Sequence, residues 1–112
     1  MKRLAMLIVG LCCVVGAAGS FTGTSTAKLW LPDFVSTPNG EVRITFSPDG
    51  QRMLWGTIGW SGGVGGWDIF ESVRNGDGWS QPAPVVFNSS ANDFDPSFAP
   101  DGSGVYFFSN RV

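Results

Sequence analysis

The 112-residue sequence predicts an all-β protein of antiparallel strands, and three observations lead to this fold class. The segment Ile44–Gly50 (ITFSPDG) returns as Pro96–Gly102 (PSFAPDG), 52 residues later, and an internal repeat of this size indicates stacked supersecondary units. Apolar and polar residues alternate before the turn of the first copy, which is the period of a strand with one buried face. The chain also contains 16 glycines and 7 prolines, which suit a protein with many turns.

Residues 1–19 are predicted to be a secretory signal peptide. Lys2 and Arg3 precede an apolar run over residues 4–15, and small residues follow over 16–20. An uncleaved membrane anchor is the alternative, but the run is shorter than the roughly 20 residues that cross a bilayer. We therefore expect a periplasmic or secreted protein, without stable membrane insertion after cleavage of the signal.

Both cysteines lie within this leader, at Cys12 and Cys13. A lipoprotein signal is disfavoured because Leu11 before the first cysteine is not a small residue. Cleavage would leave a chain without a disulfide, a thiol nucleophile or a thiolate metal site. All nine acidic residues would remain, which argues against a nucleic-acid partner.

Residues 20–40 lack sustained periodicity and are predicted to be a linker or an arm leading into the first hairpin. The repeat segment follows over residues 41–112. Its first strand is predicted to place Val42, Ile44 and Phe46 on one buried face. The turn that follows contains Pro48, Asp49 and Gly50, and its second copy contains Pro100, Asp101 and Gly102. Proline presets φ in such a turn, the aspartate bonds nearby backbone N–H groups, and glycine accepts positive φ, so a structural role is expected for all six.

The rest of the first repeat predicts two further strands. A flexible glycine-rich loop over residues 59–66 precedes a strand over 67–73 in which neither face is cleanly polar, as suits a strand packed on both sides. The Asn75–Gly78 segment (NGDG) is a hairpin turn signal, and a short edge strand would begin at Trp79. Four antiparallel strands in about 50 residues match one β-propeller blade, and residues 93–111 match the first hairpin of a second blade.

Several segments in this order resemble a known family: Phe46–Gly50, Gly66–Phe70, Gly78–Pro82, Asn92–Gly102 and Val105–Arg111. They resemble the WD-like Pro-Asp propeller repeats of TolB-type proteins, over residues 41–112. The resemblance implies an incomplete β-propeller from the bacterial cell envelope that binds protein partners. A closed propeller has 4–8 blades, so we expect a fragment of a longer protein whose open blade edges self-associate.

The residues offer little catalytic chemistry. The chain has no histidine, which excludes a Ser-His-Asp or Cys-His nucleophile system, and we predict no catalytic residue, no metal site and no cofactor. Asp93 and Asp95 would project to the same side of a strand and could hold calcium or act as catalytic carboxylates, but strand-end hydrogen bonding is favoured. Trp60 in the glycine-rich loop is the one candidate ligand contact, because the other tryptophans are expected between blades.

These observations favour a non-catalytic, exported propeller segment that binds a protein partner through its loops. The alternative is a glycan-binding or glycosidase-like propeller module that uses tryptophan side chains to stack on sugars. A third hypothesis is a gene remnant without a function of its own. The sequence does not identify the partner or ligand.

Overall fold

A computed structural model describes residues 28–112 and confirms the predicted all-β class, because these residues form strands and no helix. The predicted signal peptide, residues 1–19, lies outside the described residues. Within residues 28–112, no helix is long and apolar enough to cross a membrane. The strands are β1 (Gly40–Phe46), β2 (Arg52–Ile58), β3 (Trp67–Asn75), β4 (Gly78–Trp79), β5 (Ala83–Pro84), β6 (Asp93–Phe98) and β7 (Val105–Ser109).

The first four strands form an antiparallel meander in the order β1-β2-β3-β4, and β5 pairs with β3 beyond β4; we call this sheet 1. Strand β2 is its most buried element, with five consecutive buried residues from Met53 to Thr57. In β3 the residues Asp68, Ile69 and Phe70 are also consecutively buried. Both strands are therefore covered on both faces, as the apolar character of the 67–73 segment predicts.

The predicted edge strand is interrupted. Two-residue strands at Gly78–Trp79 and Ala83–Pro84 replace one continuous element. Proline has no N–H to donate to a sheet ladder, so Pro82 and Pro84 limit the pairing to short stretches. Val85, next along the chain, is buried and joins the core rather than extending the strand.

Strands β6 and β7 form a second antiparallel sheet, sheet 2, that is a geometrical counterpart of the β1–β2 hairpin. We call two residues equivalent when they are 52 positions apart. Glu41 is opposite Thr57 in the first hairpin, and their equivalents Asp93 and Ser109 are opposite each other in the second. The same agreement holds at the turn end, where Phe46 is opposite Met53 and Phe98 is opposite Val105.

Each hairpin contains a β-bulge at the same position, and this corrects the predicted face of β1. Val42 is opposite Gly56, whereas Ile44 is opposite Trp55, so one extra residue lies between them. That residue, Arg43, has φ of 34°. Paired residues share a face, so Val42 lies on the opposite face from Ile44 and Phe46, and the prediction of one shared face is wrong.

The second bulge brings an exposed ion pair to the junction of the two sheets. Asp95 has φ of 54° and is equivalent to Arg43. The Arg43 Nε atom lies 3.9 Å from Asp95 Oδ1. Both side chains are largely in solvent, so the pair contributes little to stability.

Sheet 1 has a core on each face. On one face, which we call the arm face, Met53, Trp55 and Phe70 are buried beneath the preceding chain segment. Residues 31–35 of that segment, which we call the arm, place Leu31, Phe34 and Val35 against them. This is the described part of the predicted linker or arm over residues 20–40.

On the opposite face of sheet 1, which we call the stacked face, sheet 2 provides the cover. Leu54, Ile69 and Val85 are buried there. Phe98, Val105 and Phe107 pack against them. The hairpin thus lies with one of its faces on the sheet that precedes it in the chain.

Candidate functional site

The connections between strands gather at two ends of the stacked sheets. The two Pro-Asp-Gly turns lie together at one end, which we call the turn end. A Cβ added to Gly102 would lie 3.8 Å from Pro48 Cγ. The glycine-rich loop 59–66 and the loop 85–92 lie at the other, which we call the loop end. There, a Cβ added to Gly65 would lie only 1.9 Å from the Ala91 carbonyl oxygen. The two ends differ in chemistry, and each is described in turn.

At the turn end the aspartates are engaged in local hydrogen bonds. Asp49 Oδ1 accepts bonds from Ser47 Oγ at 2.5 Å and from the Gln51 N–H at 3.0 Å. Asp101 Oδ1 accepts bonds from Ser103 Oγ at 2.6 Å and from the Ser103 N–H at 3.0 Å. These hydrogen bonds lower the pKa of both carboxyl groups, with the serine hydroxyl as the largest cause in each case.

The glycines complete the two turns. Gly50 has φ of 69° and Gly102 has φ of 74°, a conformation that other residues adopt at a cost. The Gly50 N–H donates to the Ser47 carbonyl at 2.8 Å, and the Gly102 N–H donates to the Ala99 carbonyl at 2.9 Å. Pro48 and Pro100 lie at the preceding corners, so all six residues predicted to form these turns are found in them.

Between the two turns lies an open groove of 380 Å³. Its lining residues are Ser47, Pro48, Asp49, Arg52, Phe98, Asp101 and Gly102. The Arg52 guanidinium forms an ion pair with Glu71 at 2.5 Å. The charged groups of the groove are therefore already occupied by neighbours in the fold.

At the loop end, an ion pair joins the partly exposed Arg111 to a buried carboxylate of sheet 2. Asp93 is fully buried, and its Oδ1 accepts a hydrogen bond from Arg111 Nη2 at 2.7 Å. Its Oδ2 accepts bonds from the Ser89 N–H at 2.6 Å and from Ser89 Oγ at 2.8 Å. Arg111 also donates to the Phe87 carbonyl at 3.0 Å.

The environment of Asp93 sets its protonation state. Burial raises the pKa of this carboxyl group, but hydrogen bonds from Ser109, Arg111 and Ser89 outweigh burial and lower the pKa to about 2. Asp95, predicted to share a side with Asp93, is directed to Arg43 instead, because the bulge between Phe94 and Ser97 breaks the alternation. That prediction of a shared side is wrong, and the two carboxylates do not form a pair.

The first hairpin contains a version of the same cluster without the arginine. Thr37 Oγ1 donates to Glu41 Oε1, as the equivalent Ser89 donates to Asp93. The residue equivalent to Arg111 is Gly59, which has no side chain to donate. Thr57, equivalent to Ser109, is buried, and its hydroxyl has no hydrogen-bond partner within residues 28–112.

The glycine-rich loop at this end is braced, although the sequence predicts flexibility. The buried carboxylate of Asp68 accepts hydrogen bonds from the Val64 N–H at 3.1 Å and from the Gly65 N–H at 3.1 Å. Gly65 also has no room for a Cβ beside the Ala91 carbonyl. The loop presents Val64, 59% exposed, at its surface.

Trp60 lies in this loop, but its ring belongs to the core. Its centroid is 5.0 Å from that of Phe70 and 6.0 Å from that of Trp55, both in edge-on geometry. Trp60 is half-buried against the arm-face cluster. This packing leaves less of the ring for a ligand than a free loop position would, because two of its neighbours are buried core residues.

The structure reveals an aromatic cleft that sequence reasoning missed. It has a volume of 400 Å³ and is lined by Trp30, Leu31, Phe34, Arg74, Asp77, Gly78 and Trp79. Trp30 and Trp79 each lie 6.0 Å from Phe46, between centroids, and form an aromatic row. The Arg74 guanidinium lies 4.3 Å from the Trp79 ring centre. The NGDG turn and the tryptophan that follows it are visible in the sequence, but only the path of the arm brings the exposed Trp30 beside the partly buried Trp79.

Among residues 28–112, no group of three or more potential metal-ligating side chains is close enough to hold a metal ion. No protein-family model matches the chain, and comparisons with curated proteins and with solved structures give no match. The chemistry of the two ends and of the cleft is therefore the basis for a functional proposal.

Proposed function

We propose that the chain is a non-catalytic, exported β-propeller segment of the TolB-like type that binds a protein partner through its loop end. The observation that carries the proposal is the agreement between the two hairpins at a spacing of 52 residues. They share strand register, bulge position and turn hydrogen bonds. Agreement at all three levels is what a repeated structural unit requires.

The contact between the sheets supports the propeller part of the proposal. Met53 and Trp55 lie on the arm face of sheet 1, and their equivalents Val105 and Phe107 lie against its stacked face. One face of the second unit is thus directed to the opposite face of the first unit, as in blades arranged about an axis. In the absence of histidine, no Ser-His-Asp site can be built within such blades.

The loop end is the surface that fits a protein partner best. Loops on a rigid scaffold are the usual binding elements, and the 59–66 loop is braced by Asp68 beneath an exposed Val64. Beside the 85–92 loop lies a surface cavity of 380 Å³, lined by Ser89, Ser90, Ala91, Asn110, Arg111 and Val112. An apolar contact next to polar donors is a common composition of non-obligate interfaces.

The test is a pull-down of partners from a cell-envelope extract. Val64→Asp places a charge at the loop tip and is expected to remove the partner. Gln51→Glu makes the same change of charge at the turn end and serves as the matched control. Recovery of every bound protein with both variants would refute binding through the loop end.

The aromatic cleft favours a second candidate function, the binding of a glycan. Its aromatic row and the neighbouring Arg74 and Asp77 combine stacking surfaces with polar groups, which is a suitable composition for a sugar. An oligosaccharide that binds there should quench tryptophan fluorescence in a saturable manner. Trp30→Ala should abolish the quenching, and flat titrations across a glycan panel would refute this function.

A further inference from the structure

We propose that the exposed face of sheet 2 binds the arm face of a second copy of this chain. The two copies associate head to tail, after the arm of the second copy has moved aside. We call this exposed face, which carries Tyr106 and Phe108, the open face. The proposal depends on the equivalence of the hairpins and not on the partner proposed for the loop end. Four observations support it.

The first observation is that the open face occupies the position of a face that is buried in sheet 1. Tyr106 is equivalent to Leu54, which is fully buried beneath the second hairpin. Tyr106 itself is 71% exposed, and Phe108 is 57% exposed. Two large neighbouring aromatic side chains in solvent are typical of an interaction surface.

The second observation is that the surface complementary to the open face is present in the same chain. Val105 and Phe107 cover the stacked face of sheet 1, and their equivalents are Met53 and Trp55 on the arm face. The hairpin side of this contact therefore occurs a second time beneath the arm, and the open face repeats the Leu54 position of the stacked face as Tyr106. A second copy supplies the missing side to each.

The third observation is that the arm is attached to sheet 1 by side chains alone. Its backbone N–H groups at residues 33–36 donate to carbonyls of Leu31 and Ser36, and Ser36 Oγ donates to the Trp30 carbonyl. No backbone hydrogen bond joins residues 31–36 to a strand among the described residues. The arm can thus leave without breaking a sheet ladder.

The backbone of the arm is the fourth observation. Leu31 has φ of 46° and Asp33 has φ of 62°, and neither is a glycine. Residues held in this region carry a conformational cost that is released when the segment becomes free. This cost offsets part of the stabilisation that the packing of Leu31, Phe34 and Val35 gives to the arm, so it lowers the free energy that departure of the arm requires.

The open face also differs from the stacked face in one respect. Phe108 replaces the equivalent Gly56, and its ring lies 4.9 Å from the Phe94 ring. Strand β6 approaches sheet 1 closely over Gly56, where an added Cβ would be 3.2 Å from Phe94 Cβ. The second copy would therefore lie over Phe108 with aromatic rings between the sheets rather than with backbone in close approach.

The expected association is heterologous, because two different surfaces meet. Such contacts produce rings or open chains of copies and not a closed two-fold dimer. Sedimentation velocity on the full chain over a range of concentrations should show species larger than a dimer. Tyr106→Glu should weaken association by at least about tenfold, because it places a charge in an apolar contact. Gln51→Glu adds the same charge at an exposed residue of the turn end and should leave association unchanged.

A further variant tests the role of the arm. Phe34→Ala removes an arm side chain that packs on the arm face, so it should strengthen association while it weakens the cover. Tyr106→Glu keeps an intact arm face but has an altered open face. An excess of this variant should therefore bind the ends of assemblies of the unmodified chain, stop their growth and shorten them. The proposal is refuted if the unmodified chain forms nothing larger than a dimer and Phe34→Ala does not strengthen its association. It is also refuted if Tyr106→Glu associates as strongly as the unmodified chain. Neither result bears on partner capture through Val64.

Discussion

The buried carboxylate of Asp93 should make the stability of the protein depend on acidity in a defined range. We consider the substitution Asp93→Asn, which keeps the size of the side chain and removes its charge. In the folded protein Ser89 and Arg111 donate to this carboxylate, and Ser109 contributes to its low pKa. Because asparagine does not titrate, this variant should lack the pH dependence of the unfolding free energy that the Asp93 carboxylate contributes.

The size of the effect follows from the pKa of Asp93. A fall from 3.8 to about 2 corresponds to about 2.4 kcal/mol at 1.36 kcal/mol per pKa unit. Because the pKa is lower in the folded state than in the unfolded state, the carboxylate stabilises the fold fully above about pH 4 to 5. This contribution is lost as the pH falls through about 2, where the folded carboxyl group becomes protonated.

The assay is urea unfolding of dilute protein at pH 6 and at pH 2. The difference in unfolding free energy between the unmodified chain and Asp93→Asn should be about 2 kcal/mol larger at pH 6 than at pH 2. Asp77→Asn, in the exposed turn between β3 and β4, is the matched control and should show no comparable change. An equal difference at the two pH values would show that the hydrogen bonds to Asp93 do not stabilise the charged form.

Three further predictions concern the packing of the sheets, and each can be measured as the free energy of urea unfolding. Leu54→Ala should cost about 2–5 kcal/mol because Leu54 is fully buried, whereas the equivalent Tyr106→Ala should cost below about 0.5 kcal/mol; equal costs would contradict the different cover of the two hairpins. Gly65→Ala should cost about 1–3 kcal/mol, because its Cβ would meet the Ala91 carbonyl oxygen at 1.9 Å; an unchanged stability would show that the loop moves freely. Thr57→Val should stabilise the protein by about 1 kcal/mol, because it replaces a buried hydroxyl that has no partner in the described part of the chain; a loss of stability would show that this hydroxyl is satisfied in solution.

The local features of the fold were predictable because they depend on a few consecutive residues. The Pro-Asp-Gly and Asn-Gly segments specify tight turns through φ preferences and side-chain hydrogen bonds, and each is found in a turn. The apolar pattern on both sides of these turns predicts the strands. The doubly apolar segment 67–73 likewise predicts a strand covered on both faces, as found in β3.

The features that failed prediction depend on contacts between distant residues. The bulge at Arg43 inverts the pattern of β1, and no turn residue signals it. The candidate role of Trp60 as a ligand contact stays a prediction, but the packing of its ring on Phe70 was not predicted, because it follows from the path of the loop. Arg111 has no local motif either, since its partner Asp93 is 18 residues away and only the pairing of β6 with β7 brings the two together.

The ion pair between Arg43 and Asp95 has a consequence for how the two units diverge. Since equivalent positions become spatial neighbours when units are stacked, a perfect copy of the first unit would place arginine beside arginine at this junction. Repulsion between these exposed like charges would be small, as the attraction in the present pair is, but it would act at the contact that buries the cores. The opposite charge on Asp95 removes this repulsion, so the difference between the two units at this position suits their stacking.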